Sequence, residues 1–467
     1  MSAYSWMKSL AARTEGHRER IFAAEEFLWK HPATGYREWK ASEYLAARFK
    51  EMGYVPRLAG DIPGFYADLD TGRPGPRVAL LGELDSVLCA SHPEADPDTG
   101  AVHACGHHAQ CAALLGAAAT LREPEFTDML CGSVRFMAVP AEELLELSYR
   151  EELRQRGVIG YFGGKVEFLR RGYFEGVGMA LLLHVGGPAG TLKFKAGNNG
   201  CILKNVRITG RAAHAGGAPH EGINALYAAN LGLAAINALR ETFRERDHIR
   251  VHPILTQAGR AVNVIPDQVT LESYVRGATL EAFSRENGRV NRALAGAAAA
   301  LGARIAISDR PGYMPLKNDP ELGAAVRGVA EALCGPDKVV LSPEWDTGCT
   351  DMGDLSCVMP VVQPSIGGAQ GQGHGDDYRI VDRESACVLA AKILAASAVA
   401  LLSDGGARAQ QIIERGNTPF ATTEDYFRAI DALALDCEAV QYNDDGTATL
   451  AWQNPGLRRN DKKEGNC

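Results

Sequence analysis

Three histidines and a cysteine fall within the six residues His103-Ala104-Cys105-Gly106-His107-His108, in a chain of 467 residues that has only 12 histidines. A thiolate and an imidazole offered together suit a borderline-soft divalent cation such as zinc. Cys105 and His107 are two apart, so in extended backbone their side chains point the same way. The competing reading is a polar loop beside a small buried cysteine. This short stretch alone does not decide between them.

Further ionisable residues stand where apolar runs end. The run 77–84 leads into Asp85, the run 133–139 into Pro140-Ala141-Glu142-Glu143, and the run 178–183 into His184. In open α/β sheets ligands collect outside the carboxyl ends of strands, so these residues are expected to share one crevice with the Cys-His loop. Each taken singly is an ordinary polar strand end. Glu142 and Glu143 permit a division of labour, one carboxylate on a metal and its neighbour as general base. They also suit the acidic first turn of a helix over 142–156, and the two readings are compatible. Two Gly-rich stretches carry one histidine each, His374 within 367–378 and His214 within 210–217. The later one lacks the Lys-Ser/Thr pair of a phosphate loop and reads as a flexible loop delivering His374 to a metal. His214 alone reads as a loop histidine.

The elements that position these groups follow from periodicity. Helical spacing covers 21–29 and 41–52, parted by His31-Pro32-Ala33-Thr34-Gly35. Strands are expected at 67–69, 77–84, 133–139 and 178–185; the last three are almost continuously apolar, as strands buried on both faces are. Over 202–310 the rhythm becomes strand 202–209, helix 223–243, strands 253–257 and 268–275, helix 280–301 and strand 304–308. That is a ferredoxin-like βαββαβ order. The α/β pattern then resumes with helix 320–333, strands 339–342 and 360–365, and a closing helix 383–402. Beyond it, 424–434 reads as a helix, 439–442 and 447–452 as a hairpin, and 458–467 as a frayed tail. The fold class is therefore α/β with two domains. A mixed-sheet α/β/α domain spans 1–195 and 311–403, a ferredoxin-like domain is inserted at 196–310, and an extension occupies 404–467.

Composition narrows the function. A formal net charge of -8 without a basic patch argues against a nucleic-acid partner. The eleven cysteines are irregularly spaced, which fits a reducing cytoplasm and not a disulfide framework. No signal peptide and no apolar span long enough for a membrane are read from the sequence.

In combination these motifs resemble the dinuclear metal amidohydrolase and peptidase family, which includes aminoacylase, hippurate hydrolase, carboxypeptidase G, plant auxin-conjugate hydrolases and aminobenzoyl-glutamate hydrolase. The resemblance runs from about residue 15 to 402. It rests on Gly82-Glu83-Leu84-Asp85, His103-Ala104-Cys105-Gly106-His107, Val139-Pro140-Ala141-Glu142-Glu143, His184, the His-Ala-Gly core of 210–219, Val262-Asn263-Val264-Ile265-Pro266 and His374. Thr350-Asp351-Met352-Gly353-Asp354-Leu355-Ser356 is most similar to the aminobenzoyl-glutamate hydrolase branch. The resemblance implies two divalent metal ions, zinc or manganese, bridged by Cys105 and completed by His107, Glu143, His184 and His374. It makes Glu142 the general base and Asp85 an orienting group. His214 and Asn263 would polarise the scissile carbonyl, the histidine from the partner of a homodimer formed through the inserted lid and dimerisation domain. Arg276 would bind a substrate carboxylate, although a structural ion pair explains it as well.

The implied activity is hydrolysis of the amide bond of an N-acyl or N-aroyl amino acid, or a dipeptide-like conjugate. Two departures stand out: His108 replaces the family's usual aspartate, and Gln110 stands where a histidine is often found. An extra stretch, 144–162, follows the glutamate pair. The departures motivate an alternative, a metal-binding pseudoenzyme that holds a ligand without turnover. A thiol hydrolase with Cys105 as nucleophile and His107 as base is the third reading.

Overall fold

The computed structural model describes residues 6–452; the expected tail 458–467 lies outside the described residues. The chain forms two compact units. One comprises the chain up to Gly197 together with Leu316–Trp345 and Asp351–Pro419; the other comprises Asn198–Pro315, Asp346–Thr350 and the chain from Phe420.

The first unit is built on a six-stranded mixed sheet in the order Arg57–Leu58, Phe65–Asp70, Ser133–Val139, Arg77–Glu83, Val177–Leu181, Val361–Val362. The first two pairings are antiparallel and the remaining three parallel. Ser133–Val139 is buried along its whole length, as its continuous apolar run demands. Val78, Leu80, Val134, Phe136 and Ala138 from one face enter the core that also takes Ala112, Leu114 and Leu115 of the helix His107–Leu121. Every residue of that helix is buried. Its small side chains let neighbouring helices close in: a Cβ at Gly116 would lie 2.5 Å from Ile21 Cδ1. On the opposite face Val139 Cγ1 lies 3.2 Å from the Cβ position of Gly164, in the helix Gly164–Arg170. The unit is thus layered α/β/α, the fold expected.

Two expected strands are each divided. Within 178–185, Val177–Leu181 stays in the main sheet while His184–Val185 joins a second sheet with Ser365–Ile366, Leu192–Phe194 and Val339–Leu341. Within 360–365, Val361–Val362 and Ser365–Ile366 part in the same way. Pro364, between them, has no N–H to continue a ladder, but its carbonyl accepts the His184 amide at 3.0 Å. Both chain segments therefore leave the main sheet together, and His184 departs with them.

The closing helix corrects one expectation. Glu384–Leu402 is long and apolar enough to cross a membrane by length and composition, although 83% of its most apolar window is buried inside the structure. It packs as a core helix beside His107–Leu121. A helix at Met7–Gly16, not anticipated, precedes Arg18–Trp29.

In the second unit Gly200–Thr209 pairs antiparallel with both Gln268–Gly277 and Arg304–Pro311. Arg250–Val251 and Ile254–Gln257 flank the outer side of Gln268–Gly277. The helices Ala225–Arg240 and Leu280–Ala300 contribute Ala228, Ile236, Val290 and Leu294 to the core over the sheet. This is the βαββαβ arrangement, with its first and third strands at the centre. A fifth strand, Leu435–Glu438, extends it beside Arg304–Pro311 and is followed by the hairpin Val440–Tyr442/Ala448–Leu450. The helix Thr423–Asp431 that leads there is capped by Thr422, whose side chain accepts from the Asp425 amide.

Candidate metal centre

The Cys-His loop is not extended, as the sequence reading has it, but a turn. Gly106 caps the helix His107–Leu121 in the left-handed region with φ 89°. A Cβ there would also lie 2.5 Å from the Tyr378 hydroxyl oxygen and 2.9 Å from Val185 Cβ, so only glycine fits. The turn places Cys105 before the helix and His107 at its first position. The glutamate pair likewise differs from expectation, since the helix begins only at Leu147. Glu142 and Glu143 instead occupy the loop leaving Ser133–Val139, after a left-handed Ala141 with φ 58°. An aligned N-terminus therefore does not account for the pair. His374 is also left-handed, φ 63°, and its amide donates to the Ala104 carbonyl at 2.8 Å, pinning the Gly-rich loop to the Cys-His turn.

Within the first unit these elements bring the predicted donors together. Cys105, His107 and His184 offer ligand atoms within 4.8 Å of one another, as do Cys105, Glu143 and His374, and also His107, Glu142 and Glu143. Cys105 is common to the first two groups. Its Sγ lies 3.5 Å from His184 Nε2, and His374 Nε2 lies 2.9 Å from Glu143 Oε1. His107 Nδ1 contacts Asp85 Oδ1 at 3.1 Å, and His184 Nδ1 contacts the Val185 carbonyl at 3.0 Å. Both rings are thereby held with Nε2 toward the cluster, the orientation a metal-ligating imidazole needs. The donor set, one sulfur with imidazole nitrogens and a carboxylate, fits zinc.

The electrostatics fit as well. Burial and the Glu143 charge raise the Cys105 thiol, but the His107 and His184 imidazoles outweigh them and bring it to about 6. Burial opposes the charge on Glu143, yet the His374 partner holds it at about 2. Hydrogen bonds to Cys105 and Glu143 raise His374 to about 11. Glu142 is different: burial, then Glu83 and Glu143, push it well above the ordinary carboxylate range. Two adjacent glutamates are thus driven apart, one firmly ionised and one proton-accepting.

Sequence reasoning assigned no role to a second charged group under the donors. The Lys165 ammonium lies 2.5 Å from Glu83 Oε1 and 2.5 Å from Asp351 Oδ1, with all three side chains fully buried. Glu83 Oε2 lies 3.2 Å from His107 Nε2. The spacing Glu83-x-Asp85 carries the signal, because alternate residues of a strand end share a face. His108, one of the departures, turns to Glu25 at 3.4 Å and stacks near Trp29. His214, Asn263 and Arg276 belong to the second unit. There the Ala215 amide donates to the Asn263 carbonyl at 3.0 Å, so His214 and Asn263 are neighbours. His214 is exposed, its Nδ1 accepting the Gly216 and Gly217 amides. Arg276 stands apart from them, over the Tyr274 ring at 5.3 Å.

An α/β domain that gathers a thiolate, imidazoles and paired glutamates at its strand ends has the build of a metallohydrolase. Residues 65–400 match peptidase family M20/M25/M40, and the chain belongs to that family. Among curated relatives, one of the two subunits of the p-aminobenzoyl-glutamate hydrolase of Escherichia coli is 30% identical over 61% of this chain and 56% of its own length. Indole-3-acetyl-aspartic acid hydrolase of Enterobacter agglomerans is 29% identical over 61% of this chain and 66% of its own. The chain thus spans 56% and 66% of the lengths of these two relatives. Among solved structures, a dinuclear metal binding peptidase of Bacillus subtilis superposes with a TM-score of 0.62 at 23% identity, covering 83% of this chain and 99% of that one. An aminobenzoyl-glutamate utilization protein of Klebsiella pneumoniae gives 0.61 at 20% identity, covering 85% and 98%. At such identities the likeness is one of fold.

Proposed function

We propose that this chain is a metal-dependent amidohydrolase acting on the amide bond of an N-acyl or N-aroyl amino acid or a dipeptide-like conjugate. The observation that carries the reading is Cys105, shared by two donor groups, with Glu142 beside them both. Two divalent ions, zinc or manganese, held by Cys105, His107, Glu143, His184 and His374, would supply Lewis acidity and acidify water. Glu142 takes the proton of the attacking water and passes it to the leaving amine; its upward-shifted pKa keeps that exchange close to neutral pH. Asp85 orients His107. His214 and Asn263 polarise the scissile carbonyl, and Arg276 takes the substrate carboxylate. The two named relatives, enzymes of an aroyl-glutamate and an acyl-aspartate, support this substrate class.

A homodimer through the second unit is part of the proposal. Tyr227 and Leu231, one turn apart on Ala225–Arg240, are 65% and 41% exposed, and Ile254 on the outer strand is 59% exposed, an apolar face suited to a second copy. The ten free cysteines among the described residues support a reducing, cytoplasmic setting.

The test is a panel of N-acyl and N-aroyl amino acids offered to the metal-loaded protein, with release of the free amino acid as readout. Release from at least one member is expected; none, from a chain that has taken up metal, would favour the pseudoenzyme. The 3.5 Å contact of Cys105 with His184 supports a thiol nucleophile as the second reading. That reading requires activity to survive a chelator, whereas the metal reading requires its loss.

A further inference from the structure

The stretch 144–162 follows the glutamate pair, and its helix Leu147–Gln155 sends one side chain back beneath it. Arg150 is 1% exposed. Its Nη1 donates to the Phe162 carbonyl at 2.5 Å and reaches the Ala141 carbonyl at 3.4 Å, while Nη2 donates to the Glu143 carbonyl. Two of these carbonyls belong to the residues on either side of Glu142. The guanidinium also lies 5.6 Å from the Tyr36 ring centroid.

The same turn is held from its other edge. Glu38, fully buried, accepts the Ala141 amide at 2.8 Å, and the Gly164 amide donates to the Ala141 carbonyl at 3.1 Å. The Glu143 amide donates to Asp85 Oδ2 at 2.7 Å. Ala141 and Glu143 therefore have both backbone groups fixed. That fixation matters because Ala141 is left-handed, φ 58°, a conformation an alanine keeps only where its surroundings over-determine it. Gly35 makes room for the device: a Cβ there would lie 2.3 Å from Arg150 Nη2 and 2.9 Å from Ala141 Cα.

We infer that Arg150 is a positioning residue, supplied by the 144–162 stretch, that locks the backbone on both sides of Glu142 and so aims its carboxylate. The planar fork of arginine can span several carbonyls at once; a lysine has no such fork. The effect on turnover rests on the amidohydrolase reading, whereas the effect on the backbone does not.

The experiment compares wild type, Arg150→Met, Arg150→Lys and the double variant Arg150→Met/Ala141→Gly, each checked for metal content. Arg150→Met is expected to lower kcat by about 100-fold, the scale of a small misplacement of a reacting group. KM and metal content stay near wild type. Arg150→Lys fails to restore kcat, and free guanidinium ion restores part of it to Arg150→Met. Adding Ala141→Gly recovers part as well, because glycine accepts the left-handed backbone unaided. Independently of activity, hydrogen exchange over 139–146 speeds up in Arg150→Met while exchange over 77–83 is unchanged. A metal-loaded Arg150→Met with wild-type kcat and wild-type exchange over 139–146 overturns the inference. Loss of protection throughout the unit overturns it too, because Arg150 is then a general structural residue. If wild type releases no amine, the amidohydrolase reading falls, and the exchange comparison still decides the role of Arg150.

Discussion

Asp85 and His107 meet twice: His107 Nδ1 lies 3.0 Å from the Asp85 carbonyl oxygen and 3.1 Å from its Oδ1. The remaining carboxylate oxygen accepts the Glu143 amide. One side chain therefore sets both an imidazole orientation and the place of a neighbouring carboxylate. Asp85→Asn is expected to weaken metal binding about 10–100-fold while the fold is kept. Titration against a chelator of known affinity reads this directly, and an unchanged affinity would reduce Asp85 to a space-filling role.

Metal uptake must depend on pH. Cys105 binds a cation as thiolate, and its thiol sits at about 6 because His107 and His184 outweigh burial and Glu143. Affinity is therefore expected to fall as pH drops through that value, the thiol regaining its proton. Above it, uptake still displaces imidazole protons, notably from His374, raised to about 11 by Cys105 and Glu143. Calorimetry in buffers of different ionisation enthalpy should show proton release on binding. A pH-independent affinity with no proton release contradicts the ligand set.

The Lys165–Glu83–Asp351 group is wholly buried. Lys165→Met would leave two carboxylates facing each other without a cation, and a cost of about 3–5 kcal/mol is expected. Denaturant unfolding of the metal-free chain measures it. A change no larger than the ~0.5 kcal/mol typical of a surface site would show that the three charges are not jointly buried in solution.

Glu142→Gln keeps the shape of the base and removes its proton-accepting oxygen. A loss of about 10²–10⁴ in kcat is expected, with metal content unchanged. If the variant instead lost its metal, Glu142 would be a ligand and not a base.

Much of this centre was legible in the sequence because its donors follow strands whose apolar runs are unmistakable. Asp85, Glu142 and Glu143 stand just past the C-terminal ends of Arg77–Glu83 and Ser133–Val139. The backbone that aims them was less legible. Whether 142–156 begins as helix or loop depends on Arg150 and Glu38, which act on Ala141 from positions in sequence that periodicity does not connect. The break of 178–185 before His184 has the same character, since its cause is Pro364, far along the chain. Leu435–Glu438 is too short for an alternation to be read. Its strand state comes from the edge of Arg304–Pro311 that it covers.

The dinuclear reading turns on Cys105 as the donor common to two groups. Metal content of wild type and Cys105→Ser, after reconstitution with zinc or manganese, tests it at its centre. About two ions per wild-type chain are expected, as a two-metal hydrolytic site requires, with a clear loss of metal in the variant together with its amidase activity. A wild-type chain that binds no ion after reconstitution, or a Cys105→Ser chain that keeps its full complement and activity, is incompatible with Cys105 as the shared ligand.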